Sequence, residues 1–119
     1  MATLRAFLKD PDFLHKFPAK PGMWRLRVTG GTGKAGALPG GLLDIGWTND
    51  MRTHLRTMRQ ELVVRRQAPE WVPVEQLQIE VDYSDTAAAD AEAALADYVR
   101  RNGQQPPLRR AAKPEPKRT

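Results

Sequence analysis

Cysteine is absent from the 119-residue chain, which excludes disulfides, thiolate metal centres and a cysteine nucleophile. Histidine is nearly as scarce, and His15 and His54 are too few for a metal site built from imidazoles. No Ser-His-Asp order and no nucleophile elbow occur. No apolar run approaches the ~20 residues that a membrane-crossing helix needs, and no signal-like stretch opens the sequence, so a cytoplasmic protein is the expectation. The length suits one domain.

Charge is present in quantity and segregated. Residues 1–66 hold 12 basic and 5 acidic groups, residues 67–99 hold 8 acidic groups and no basic one, and residues 100–119 hold 7 basic and 1 acidic. Blocks of opposite sign imply separate electrostatic faces, and a polyanion such as nucleic acid is the natural partner of the positive ones. A basic solubilising tail on an ordinary domain gives the same pattern.

Glycine and proline divide the rest. Leu4, Phe7, Leu8, Phe13, Leu14 and Phe17 suggest short helical turns, which Pro18 and Pro21-Gly22 end. Met23 to Val28 alternates apolar with basic residues, as a half-buried strand does. Thr29 to Gly41 holds six of the nine glycines and reads as a flexible loop. Leu42 to Ile45 is a second strand, closed by Gly46. From Thr48 or Asn49 to Arg66 the spacing of Met51, Leu55, Met58 and Leu62 predicts a helix. Leu77, Ile79, Val81 and Tyr83 alternate with Gln78, Glu80 and Asp82 in a third strand, and Ser84 or Asp85 caps an alanine-rich helix from Thr86 to Arg101. Beyond Asn102-Gly103 and Pro106-Pro107 the chain is expected to be a disordered basic tail.

Several residues invite chemistry, each with a plainer reading beside it. Gly30-Gly31-Thr32-Gly33-Lys34 lacks the flanking residues of a phosphate loop, with Val28 and Ala35 at the defining positions. On the first long helix, at ~100° per residue, Arg52, Arg56 and Arg59 share one flank of the apolar face, while His54, Glu61 and Arg65 share the other. Three guanidinium forks in a row match phosphate oxygens, although solvated arginines on a surface helix look the same. Arg25 and Arg27, alternating along the first strand, join them as candidate phosphate contacts. The carboxylates Asp82, Asp85, Asp90, Glu92 and Asp97 suit either a hard cation such as magnesium or a solvated helix face. Trp24, Trp47 and Trp71 are scattered and read first as packing residues.

Two segments carry a family resemblance. Pro21-Gly22-Met23-Trp24-Arg25-Leu26 resembles the first motif of the GIY-YIG nuclease domain, a small metal-dependent module of homing endonucleases and of an excision-repair incision subunit. Leu43-Asp44-Ile45-Gly46-Trp47-Thr48-Asn49-Asp50-Met51 resembles the second motif, including its Gly, its Thr and the acidic-apolar pair that opens a helix. Ala88 to Val99 resembles the later helix that bears the family's metal carboxylate, so the likeness spans roughly residues 21–107. The family's active site unites two motif tyrosines, an arginine and a glutamate. The resemblance sets Trp24, Asp44 and His54 at the first three positions, and Glu92 or Asp97 at the fourth. Twenty residues separate Trp24 from Asp44, longer than the family's usual hairpin.

The departures bear on chemistry. An indole cannot exchange a proton as a phenol does, and a neutral imidazole offers less charge than a guanidinium fork. Losing such charge stabilisation costs ~100-fold or more in rate. The sequence therefore predicts an α+β fold, a small mixed or antiparallel three-stranded sheet flanked by helices. The expected parts are a helical extension at 1–20, a GIY-YIG-like domain at 21–103 and a basic tail at 104–119. The expected function is nucleic-acid binding, to DNA or RNA, through Arg25, Arg27, Arg52, Arg56 and Arg59, with weak or lost hydrolysis. One alternative is an active nuclease, in which Asp44 with Glu92 or Asp97 holds Mg²⁺ or Mn²⁺ and His54 is the general base. Another is a protein-interaction domain whose acidic 70–97 block meets a basic partner.

Overall fold

The computed structural model describes residues 3–30 and 38–111. Four strands, β1 (Leu4–Phe7), β2 (Gly22–Val28), β3 (Leu42–Thr48) and β4 (Leu77–Tyr83), form one sheet in the order β1-β4-β2-β3. Every pairing is antiparallel. Helix α1 (Met51–Arg59) follows β3 and runs on into a π-helical turn at Gln60–Val64. Helix α2 (Ala87–Asn102) follows β4, and the short α3 (Pro107–Ala111) closes the described chain. The α+β class is as expected. Among the described residues, no helix is long and apolar enough to cross a membrane.

Three expectations are corrected. The sheet has four strands, not three, because the segment expected to be helical supplies β1. Leu4, Ala6 and Leu8 recur with a period of two as well as of four, and the open edge of β4 decides between them. Pairing from Leu4↔Val81 to Phe7↔Gln78 occupies that edge, and Leu8 N–H donates to Leu77 O at 3.0 Å. Among the described residues, one 3₁₀ turn, Phe13–Lys16, is the only helical piece before β2. The expected tail is also ordered through residue 111, since Pro106 and Pro107 are buried and Leu108 packs against the core. Residues 112–119 lie outside the described residues, as does most of the glycine-rich loop, at 31–37.

Alternation along the strands divides the core in two. On one face Trp24, Leu26, Leu43, Leu77, Ile79 and Val81 pack with Met51, Leu55 and Met58 of α1 and with Phe13 and Phe17. On the other, Met23, Leu42 and Ile45 receive Ala91, Ala94 and Tyr98 of α2. Asp50 starts α1 by accepting the Thr53 N–H at 3.1 Å, and these bonds hold its carboxyl below the usual range.

Two glycines are fixed by close approach. A Cβ on Gly22 would lie 2.9 Å from Asp82 O and 3.0 Å from the Met51 methyl. Gly46 faces Trp24 across the β2–β3 pair, and a Cβ there would overlap the indole, 2.8 Å from Cε2. Gly46→Ala is therefore expected to destabilise the fold by about 1–3 kcal/mol, the usual cost of overpacking. Urea unfolding checks it, and adding Trp24→Phe, which shrinks the ring, should restore part of the loss.

Candidate functional site

Trp24, Asp44 and His54 come from β2, β3 and α1, and all three line one cavity of about 400 Å³. The register places them. Trp24 stands two residues before Leu26, which is paired with Asp44, so indole and carboxylate share a sheet face. Asp50 sets the start of α1, and four residues on, the His54 ring stacks on Trp24 with centroids 5.3 Å apart and planes inclined by 27°. Leu26, Met58, Leu62 and Leu108 make the walls apolar.

The electrostatics follow from this setting. Burial holds the His54 pKa below its ordinary value, with the Glu61 carboxylate opposing that shift. Burial also raises the Asp44 pKa, and the nearby Arg109 guanidinium and the Ile45 N–H counter it. Arg109 Nε donates to Asp44 Oδ1 at 3.0 Å, and its Nη2 donates to Ile45 O. No hydrogen bond joins Asp44 to His54. Trp24 Nε1 is buried without a hydrogen-bond partner among the described residues.

No family model, curated protein or solved structure matches this chain.

The remaining predicted residues stand elsewhere. Glu92 is exposed on α2, beside Leu95, Ala96, Val99, Arg100 and Gln105, in a shallow hollow that none of the three cavity residues lines. Asp97 pairs with Arg100 and, at 3.0 Å, with Arg101. Neither acid reaches Trp24, because α2 packs on the opposite face of the sheet. Arg52 donates from Nε to Phe17 O at 2.8 Å and Arg59 to Leu8 O at 2.6 Å. Two of the three arginines on that flank thus bind the N-terminal segment to α1, and only Arg56 stands exposed. Arg25 pairs with Asp82 at 3.0 Å, while Arg27 pairs with Glu80 at 3.0 Å and donates to Gly40 O at 2.8 Å.

The divalent cation implied by the resemblance can be tested against this donor set. Among the described residues, no three His, Asp or Glu side chains stand close enough to share a metal ion. At the cavity Asp44 is engaged by Arg109, and Glu92 and Asp97 are on the other side of the sheet. A hard cation needs several oxygen ligands at once, so these residues do not fit one there.

Sequence reasoning missed Leu108 in the cavity wall and Arg109 as the partner of Asp44, and it set Glu61 on the His54 flank of the helix without a place in the site. Leu108, alone between two prolines and a basic pair, was the available sign that the chain stays folded there. The polar groups that remain, a neutral imidazole and a carboxylate bound to a guanidinium, can accept and donate hydrogen bonds, but they focus little positive charge. His54 is expected to titrate below 6.5. The sign is set by the unfolded chain, which takes up a proton on this ring more readily than the folded one. The stability His54 confers is then complete above pH 6.5 and declines as pH falls towards its lower folded value. A proton NMR titration of its ring reads this directly, and a value at or above 6.5 contradicts it.

Proposed function

We propose that this chain is a nucleic-acid-binding domain of the kind the GIY-YIG resemblance implies, with weak or lost phosphodiester hydrolysis. The observation that carries the reading is the meeting of Trp24, Asp44 and His54 at one cavity, from three elements in the order the resemblance requires.

The same geometry argues for lost cleavage. In-line attack of water on a phosphodiester needs a group that moves the proton, and donors aimed at the charge developing on phosphorus. The Trp24 indole cannot move that proton, and His54, whose pKa burial lowers, can accept one but brings no fixed positive charge to the phosphorus. Among the described residues no arginine lines the cavity, and the Arg109 guanidinium that reaches Asp44 is bound to it and to Ile45 O. The acidic block, offered above as a protein-docking surface, is partly spent on the chain's own arginines: Glu80 on Arg5 and Arg27, Asp82 on Arg25, Asp97 on Arg100 and Arg101.

Binding by phosphate contact releases counterions, so affinity for DNA or RNA should fall steeply with salt. In a plasmid assay with Mg²⁺ or Mn²⁺, no nicking above the no-protein control is expected. A labelled oligonucleotide should bind at low salt and weaken tenfold or more by moderate salt, since several phosphate contacts together lose ~10³ or more over such a range. Nicking that is abolished by His54→Ala would overturn the loss of hydrolysis. Salt-independent binding would overturn the phosphate contacts.

A further inference from the structure

Arg25 and Arg27 alternate along β2 with Trp24 and Leu26, so they project from the opposite face of the sheet. There, between β2–β3 and α2, lies a second cleft of about 470 Å³, whose rim includes Arg25, Arg27, Asp97, Tyr98, Arg101 and Asn102. We infer that this cleft is a phosphate-binding site and that it takes the phosphodiesters of nucleic acid. The source of the phosphate rests on the function proposed above, whereas the site itself does not.

Three observations lead there. The lining carries three guanidinium groups over an apolar floor of Leu42 and Ile45. Each is paired with one carboxylate, Arg25 with Asp82, Arg27 with Glu80 and Arg101 with Asp97, so what marks the cleft is its free N–H donors and not a net charge.

Each guanidinium is also held by one part of its fork. Arg25 uses Nη1 on Asp82 at 3.0 Å, and Arg101 uses Nε on Asp97 at 3.0 Å. Arg27 uses Nε on Glu80 and Nη1 on the Gly40 carbonyl, at 3.0 and 2.8 Å. The other nitrogens, two on Arg25, one on Arg27 and two on Arg101, have no acceptor among the described residues. Tethered arginines lose less side-chain entropy when a ligand arrives than free ones do.

Lastly, stability does not account for the arrangement. Partly exposed ion pairs contribute ~0.2–1 kcal/mol each, and a sheet face that needed only stability would be closed by apolar contacts with α2. Instead the cleft stays open, with Arg25, Arg27 and Arg101 all lining it. A carboxylate ligand is satisfied by one fork, whereas a phosphate offers acceptor oxygens to several, so three arginines with free donors in one cleft favour phosphate.

The test measures affinity for a labelled duplex oligonucleotide across a potassium chloride series. It uses the full chain, Arg25→Gln, Arg101→Gln, the double variant and, as a control at an exposed cation away from the cleft, Lys9→Gln. Each phosphate contact contributes a slope of about 0.9 in log K against log salt, so each single variant should flatten the slope by about one and the double by about two. The control should leave it unchanged. A double variant with the parental slope overturns the site. Arg101 is exposed on α2 and its replacement leaves the core untouched, so Arg101→Gln alone decides the matter if Arg25→Gln fails to fold. A second arm titrates inorganic pyrophosphate and follows the Tyr98 and Asn102 backbone amides by NMR. Shifts that vanish in the Arg101→Gln variant support the site even if the oligonucleotide does not bind, and that combination would overturn only the nucleic-acid reading. Absence of shifts together with an unchanged slope overturns the site.

Discussion

The indole of Trp24 lies across the bare Cα of Gly46, and the working face of the sheet depends on that contact. The ring needs the room a missing Cβ leaves, and the β2–β3 register brings the two residues opposite each other. Once seated, the indole gives His54 a surface to stack on, while Met51, Leu55 and Met58 pack α1 onto the same face of the sheet. The cavity is the space left between this pair, Asp44, Leu108 and the turn that follows α1. A side chain at position 46 would disturb all of these together.

The arginines show how one residue type serves separate ends according to its setting. Arg52 and Arg59 sit where main-chain carbonyls of the N-terminal segment point at α1, so their charge is spent on holding that segment down. Arg109 neutralises a carboxylate that burial would otherwise drive towards its protonated form. Arg5 and Arg27 share Glu80, whose carboxyl they hold below its usual range against the opposing effect of burial. The acidic 67–99 stretch is thus in part a set of counterions folded onto the basic stretches around it. The charge segregation seen along the sequence largely closes up in space.

Much of this was legible in advance, and the misses have definite causes. Strands β2 and β4 and the two long helices announce themselves by period, because each buries one face and exposes the other. The meeting of Trp24, Asp44 and His54 was legible because a hairpin followed directly by a helix leaves few ways to arrange them. β1 was not, because Leu4, Ala6 and Leu8 satisfy both periods and only the unpaired edge of β4, remote in sequence, chooses. Nor was α3, where four prolines and a run of basic residues from 106 onward conceal the single anchor Leu108. Glu92 was misplaced because a helical wheel shows which residues share a face, but not which side of the sheet the helix covers.

The most direct test of this account is an NMR titration with a short duplex oligonucleotide that follows the arginine Nε–Hε signals one by one. The two faces of the sheet predict different behaviour. The signals of Arg25, Arg27 and Arg101 should shift progressively with added duplex, while those of Arg52 and Arg59, already bonded to Phe17 O and Leu8 O, stay in place. Shifts confined to Arg52 and Arg59, or none at all at low salt, would contradict it.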